Sequence, residues 1–267
     1  MTEPRVTNCW LNILNFPLDG RSCKPRNDGL TMVIDKGMGL DETRDLLNLG
    51  GQYIDFLKLG FGTSALYAGD VLEEKINLVR SYGIDIYPGG TFFEVAVLQN
   101  KLEQYLETVK KLGFTAVEIS DGTVDISAET RKRAINMAAE KELIVLTEVG
   151  KKDPRTRSPL SDLIRQVLSD LKYGAAKVIV EGRESGKGVG LYDSMGQLIV
   201  SEMEELITTL PDPSVLIWEA PIKEQQQELL LRFGSNVNLG NINAHEVLAL
   251  EALRVGLRAD TLKLVCR

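Results

Sequence analysis

The sequence predicts a single (β/α)8 TIM barrel of the α/β class. Three observations predict it. Eight short apolar runs recur along the chain, about 29 residues apart, which is the length of one βα unit. Most of these runs are near-continuously apolar, as strands covered on both faces must be. The stretches between them carry apolar residues at helical spacing, and several stop at glycine or proline. An open doubly wound sheet shares this alternation, so periodicity alone leaves closure of the barrel undecided.

The strands are expected at residues 30–35, 53–59, 84–87, 116–120, 144–149, 177–181, 215–219 and 236–239. The helices between them are expected at 41–49, 71–82, 98–112, 128–141, 160–173, 200–210, 223–233 and 244–257. Ser127 is a suitable N-cap, because its hydroxyl can accept a free N–H of the first turn. Gly113 and Gly174 stand just past helix ends, where a left-handed residue closes the turn. No linker or low-complexity tract divides the chain of 267 residues. Residues 1–28 are read as an N-terminal extension over the barrel bottom, and 29–267 as the catalytic barrel.

Composition excludes several classes of function. Lys plus Arg is 31 and Asp plus Glu is 38, a net charge of −7, so the chain has no basic surplus for a nucleic-acid backbone. No apolar run approaches the ~18 residues of a membrane span. The first residues, Met1-Thr2-Glu3-Pro4-Arg5, do not open a signal peptide, and the expected location is cytoplasmic. The one histidine, His245, rules out multi-histidine metal sites and lies at a helix start, where a surface role is expected. Cys9, Cys23 and Cys266 form no CxxC pair. Chemistry must therefore rest on carboxylates, lysines, arginines and backbone.

In a barrel, that chemistry sits where strand C-termini meet the following loops. Four consecutive strands finish on a glutamate: Glu118, Glu148, Glu181 and Glu219. Strand alternation puts Glu118 opposite in face to Val117 and Ile119; the apolar face meets the helices, so the glutamate faces the mouth. Four buried carboxylates need partners, either a divalent cation or the cations Lys58, Arg183 and a lysine of the 151–152 pair. With no imidazole available, a hard oxygen-seeking ion fits, and Mg²⁺ is the expected cofactor on Glu118, Glu148, Glu181 and Glu219. A purely structural ring of ion pairs would use the same residues.

Glycine-rich loops follow two strands, at 60–64 and 182–190. Their N–H groups could cradle an anion, with Arg183, Gly186, Lys187 and Gly188 as the expected phosphate or sulfonate ligands. Residues 182–187 approach a Walker A loop but are one residue short, and Gly188 stands where Ser or Thr belongs. Lys36 and Lys58 follow or end the first two strands and could hold further anionic groups. Lys151 and Lys152 could serve as anion ligands, a Schiff-base nucleophile or a general acid. Alternation places Lys152 on the side of Glu148, if the strand extends that far.

These strand-end residues also carry a resemblance. Residues 29–37, Tyr53-Ile54-Asp55-Phe56-Leu57-Lys58, Tyr87-Pro88-Gly89-Gly90-Thr91 and the segments 117–122, 146–152, 181–188 and 234–241 resemble phosphosulfolactate synthase, in order over about residues 29–261. The resemblance implies a (β/α)8 barrel that adds sulfite to phosphoenolpyruvate with Mg²⁺, giving (2R)-phospho-3-sulfolactate. It implies a place in coenzyme M synthesis or in sulfolactate formation. It also implies a general-acid lysine in Glu148-Val149-Gly150-Lys151-Lys152, with Lys152 the better match. The expected partners are these small molecules, with no nucleic acid or membrane. Homo-oligomerisation is the default for such an enzyme. Two other readings stay open: a Mg²⁺-dependent lyase or mutase on another enol phosphate or 2-oxo acid, and a non-catalytic stress-associated relative.

Overall fold

The computed structural model describes residues 9–156 and 158–265. Its eight strands are β1 (Thr31–Asp35), β2 (Phe56–Leu59), β3 (Asp85–Pro88), β4 (Ala116–Ile119), β5 (Ile144–Val149), β6 (Lys177–Val180), β7 (Leu216–Glu219) and β8 (Leu239–Asn243). All pairings are parallel, in the order β3-β2-β1-β8-β7-β6-β5-β4. Between β3 and β4 the join is made by Ile86 of β3 and Thr115, the residue just before β4. The Thr115 N–H donates to the Ile86 carbonyl at 3.1 Å, and the Ile86 N–H donates to Thr115 Oγ1 at 3.0 Å. The sheet is thus a nearly closed eight-stranded barrel, and the open-sheet alternative falls away.

The helices wrap the outside: α1 (Leu40–Gly50), α2 (Gly69–Ser81), α3 (Gly90–Leu98), α4 (Leu102–Leu112), α5 (Ala128–Glu140), α6 (Leu160–Tyr173), α7 (Val200–Thr209), α8 (Lys223–Phe233), α9 (Val247–Arg254) and α10 (Ala259–Leu262). Among the described residues no helix is long and apolar enough to cross a membrane. Two cores follow from strand alternation. Outward side chains such as Val33, Leu57, Ile86, Val117 and Trp218 pack against the helices. Inward ones, among them Met32, Phe56, Tyr87, Leu146, Ile179 and Ile217, fill the barrel beneath the mouth.

Ser127 caps α5 by accepting the Thr130 N–H at 3.2 Å, and Gly113 and Gly174 close α4 and α6 with φ of 90° and 114°. Three expectations are corrected. The helix expected at 98–112 begins only at Leu102, and a further helix, α3, precedes it; Asn100 turns left-handed (φ 57°) between the two. The last helix begins at Val247, after a 3-10 turn over Ala244–Glu246. The eighth strand runs from Leu239 to Asn243 rather than over 236–239. Below it, Asn238 spends its side chain on neighbouring backbone, accepting the Leu30 N–H at 2.9 Å and donating to the Leu216 carbonyl at 2.9 Å. The strand itself is Leu-Gly-Asn-Ile-Asn, whose glycine and asparagines carry no apolar signal.

Residues 18–26 meet the barrel at its lower end, while residues 1–8 of the expected extension lie outside the described residues. The Leu18 N–H donates to the Val255 carbonyl at 3.1 Å, Arg21 pairs with Glu251 at 2.9 Å, and Arg26 pairs with Asp55, just before β2, at 2.8 Å. The upper end is left to the strand C-termini and their loops.

Candidate active site

At the upper end, Lys58, Glu118, Glu148, Lys152, Glu181, Arg183 and Glu219 line one cavity together with Phe61, Thr91, Glu184 and Asn241. Each strand delivers its charged residue by the same rule. The residue two positions earlier fills the barrel interior (Phe56 below Lys58, Ala116 below Glu118, Leu146 below Glu148, Ile179 below Glu181, Ile217 below Glu219), so the next inward residue reaches the mouth.

Lys58 is the hub. Its Nζ lies 2.9 Å from Glu118 Oε2, 3.2 Å from Glu219 Oε1 and 3.4 Å from Glu148 Oε2. Lys152 Nζ lies 3.0 Å from Glu148 Oε1 and 3.6 Å from Glu181 Oε2, and donates to Thr91 Oγ1 at 3.4 Å. Backbone N–H groups hold the remaining carboxylate oxygens: Gly90 on Glu118 Oε1 at 2.7 Å, Gly182 on Glu219 Oε2 at 2.9 Å, and Arg183 on Glu181 Oε1 at 2.6 Å. Each interaction is strong because these glutamates are 1% exposed or less.

The protonation pattern follows from burial and neighbours. Burial would lower Lys58, but Glu118, Glu219 and Glu148 outweigh it and push the ammonium well above its ordinary range. Burial likewise opposes the charge on Lys152, and Glu148 and Glu181 more than reverse it. Burial raises Glu118 to about 7, with Lys58 opposing and Glu148 reinforcing. Glu148 is also buried, yet Lys152 and Lys58 hold it ionised below the usual carboxylate range. Glu181 is pushed well up by burial and by the charges of Glu148 and Glu219.

Oxygens of Glu148, Glu181 and Glu219 lie within 4.8 Å of one another. Glu181 Oε2 accepts no hydrogen bond within the protein. The cavity wall carries three cations (Lys58, Lys152, Arg183) against five carboxylates (Glu118, Glu148, Glu181, Glu184, Glu219). This buried acidic triad could hold a metal ion, and an all-oxygen donor set suits a hard one. Glu118, expected as a fourth ligand, does not belong to this close triad; its oxygens meet Lys58 and the Gly90 N–H.

Other expected site residues lie elsewhere. Lys36 sits at the rim, half exposed, 3.2 Å from Glu184 and over the Phe61 ring. Lys151 turns away from the cavity and donates to the Asp121 carbonyl at 2.7 Å and to Asp125 at 2.9 Å. Gly186, Lys187 and Gly188 do not line the cavity. Their loop folds back, with the Gly186 carbonyl accepting from Gln225 at 2.7 Å and the Gly188 N–H donating to the Asp193 carbonyl at 2.7 Å. The N–H groups that do reach the mouth, Gly182 and Arg183, donate to Glu219 and Glu181. His245 is exposed beside Glu42, 3.5 Å away.

Several lining residues were not singled out by sequence reasoning, Thr91, Asn241, Phe61 and Glu184 among them. Thr91 opens α3 with its hydroxyl toward Lys152. Asn241 donates to the Arg183 carbonyl at 3.4 Å, and both residues have positive φ (53° and 56°). Phe61, with φ 56°, lines the same mouth. Left-handed conformations of non-glycine residues cost energy and collect at functional sites, but no sequence pattern marks them.

Comparison with known proteins identifies the family. The family model for (2R)-phospho-3-sulfolactate synthase (ComA) matches residues 19–260. The phosphosulfolactate synthase of Methanocaldococcus jannaschii is 50% identical over 235 residues, 87% of this chain and 93% of that protein. That of Methanothermobacter thermautotrophicus is 46% identical over 254 residues, 94% and 98% of the two chains. Among solved structures, 3-hexulose-6-phosphate synthase from Salmonella typhimurium superposes with a TM-score of 0.58 at 11% identity, over 86% of this chain and all of that one, a likeness of fold alone. The chain belongs to the phosphosulfolactate synthase family of enzymes.

Proposed function

We propose that this chain adds sulfite to phosphoenolpyruvate, as a Mg²⁺-dependent carbon–sulfur lyase run in the synthetic direction, to give (2R)-phospho-3-sulfolactate. One observation carries the mechanism: the half-buried ammonium of Lys152 stands against Glu148 and Glu181, two members of a triad of buried glutamates at the barrel mouth. Glu148, Glu181 and Glu219 would hold the Mg²⁺. Bound there, the ion supplies charge stabilisation for a substrate carboxylate that is gaining a second negative charge.

The sulfite lone pair attacks C3 and forms the C–S bond. The electron pair of the C2–C3 double bond moves onto C2 and into the carboxylate. Lys152 then delivers its proton to C2 from one face, which fixes the configuration. Arg183 and Lys36, at the rim, would receive the phosphate. Lys58 keeps Glu118, Glu148 and Glu219 from repelling one another and offsets the arriving negative charge. Cytoplasmic residence and a homo-oligomeric state belong to the same reading.

The test is a consumption assay. Loss of phosphoenolpyruvate should require protein, sulfite and Mg²⁺ together. Consumption without sulfite would transfer the reading to another lyase or mutase reaction on the same enol phosphate. No consumption and no binding would favour a non-catalytic relative.

A further inference from the structure

The site presents two adjacent lysines, and only one of them reaches the cavity. What sorts them is the loop that follows β4. Its Asp121 carbonyl takes the Lys151 ammonium at 2.7 Å, and its Gly122 carbonyl takes the Lys152 backbone N–H at 3.0 Å. Gly122 also packs on the Lys152 stem. A methyl group at that position would stand 3.1–3.2 Å from Cγ, Cδ and Cε of Lys152. The loop therefore sets both the root and the lie of the lysine side chain.

The loop is in turn held by a residue outside the cavity. Glu94 lies in α3, the only charge in Gly-Thr-Phe-Phe-Glu-Val-Ala-Val-Leu, and is 1% exposed. Its Oε1 accepts the Ser120 hydroxyl at 2.7 Å, and its Oε2 accepts the N–H groups of Thr123 and Val124 at 2.9 and 2.7 Å. All three donors belong to the loop that carries Gly122. A buried carboxylate in an apolar helix is costly unless fully bonded, so its bonds fix the loop as firmly as they satisfy the charge. The same helix contributes its first turn to the site, through the Gly90 N–H on Glu118 and Thr91 Oγ1 facing Lys152.

We infer that Glu94, acting through Gly122, is a positioning residue that presents the Lys152 ammonium, and not that of Lys151, to the reacting carbon. This rests on the proposed role of Lys152 as the proton donor. Glu94 touches no substrate; it governs where the proton donor stands.

Gly122→Ala is the cleanest probe, because the three atoms nearest to the added methyl all belong to the flexible Lys152 side chain and Gly122 does not have a positive φ. In the sulfite reaction it should lower kcat by about tenfold or more, since small misplacements of a reacting group are costly. KM for phosphoenolpyruvate should stay within a factor of about two. The product should lose enantiomeric purity at C2, which a loss of active fraction would not cause. Glu94→Ala should act in the same direction. Glu94→Gln should recover much of the loss, because its carbonyl oxygen can accept Thr123 and Val124 while its amide donates to Ser120.

A second measurement reads the lysines whether or not the enzyme turns over. Labelling with pyridoxal phosphate and borohydride, followed by peptide mapping, gives the ratio of modified Lys152 to Lys151. The ratio should change severalfold in Gly122→Ala and Glu94→Ala, and return toward the wild-type value in Glu94→Gln. An unchanged ratio in Gly122→Ala, or unchanged kcat and enantiomeric purity against an active wild type, would overturn the inference. A wild type inactive with sulfite, with the labelling ratio still changed in the two variants, would overturn the proposed reaction and leave the positioning role standing.

Discussion

Lys58 Nζ stands 2.9 Å from Glu118 Oε2 with both side chains buried, and the same ammonium also serves Glu148 and Glu219. Removing it would leave buried carboxylates without their common counter-charge. Lys58→Met should destabilise the metal-free protein by about 3–5 kcal/mol at pH 7.5, the usual cost of stranding a buried charge. The loss should shrink at pH 5, where protonation removes part of the repulsion. Urea titrations at the two pH values measure both effects.

Glu118 gives wild-type stability a pH dependence of known sign. Burial raises its folded-state value from the ordinary 4.5 to about 7, against the pull of Lys58. The folded protein thus keeps a proton that the unfolded chain releases. The stabilisation is fully present below pH 4.5 and is lost as pH rises through 7. Metal-free protein should become less resistant to urea between pH 5 and pH 7.5, and Glu118→Gln should flatten this decline. A Glu118→Gln profile as steep as wild type would assign the dependence to another group.

The two adjacent lysines should separate sharply in turnover. Lys152→Ala should abolish catalysis, a loss of about 10³-fold or more for a missing proton donor, while phosphoenolpyruvate binding changes only a few-fold. Lys151→Ala should keep most activity, because that ammonium is engaged by Asp121 and Asp125 outside the cavity. Steady-state kinetics paired with calorimetric titration of phosphoenolpyruvate separates the two effects. Near-normal turnover in Lys152→Ala would remove it from the acid role.

Metal should act on stability as well as on rate. If Glu148, Glu181 and Glu219 hold Mg²⁺, saturating ion stabilises the folded protein by mass action, about 2.7 kcal/mol at a hundred times its dissociation constant. Thermal melts should rise with Mg²⁺ and fall back on chelation. Glu181→Gln and Glu219→Gln should abolish the rise, whereas Glu118→Gln should leave it largely in place. A rise that survives both substitutions would move the ion to other ligands.

The strand-end chemistry was legible because period-two alternation ties it to an apolar partner two residues earlier. Leu146 and Ile179 inside the barrel announce Glu148 and Glu181 at its mouth. Lys152 followed from the same parity, carried past the strand. Side-chain contacts across units were not legible. Glu94 reads as a stray charge in an apolar helix until the next loop is seen folded onto it. The 182–190 loop carries the residues of an anion cradle, yet Gln225, from a later helix, and Asp193 bend it away from the mouth. Local composition reports which groups are available; tertiary contacts decide where they point. The late start of α4 past Asn100 and the late start of β8 share that origin, since a left-handed residue and an amide replacing a ladder bond leave no periodic trace.

The most direct test of the central claim is to identify the product. Protein, phosphoenolpyruvate, sulfite and Mg²⁺ are mixed and followed by ³¹P and ¹H NMR. The account predicts a new phosphate ester bearing a proton at C2 and a sulfonated C3 methylene, formed only when sulfite and Mg²⁺ are both present. Phosphoenolpyruvate that binds yet stays unchanged under those conditions would contradict it.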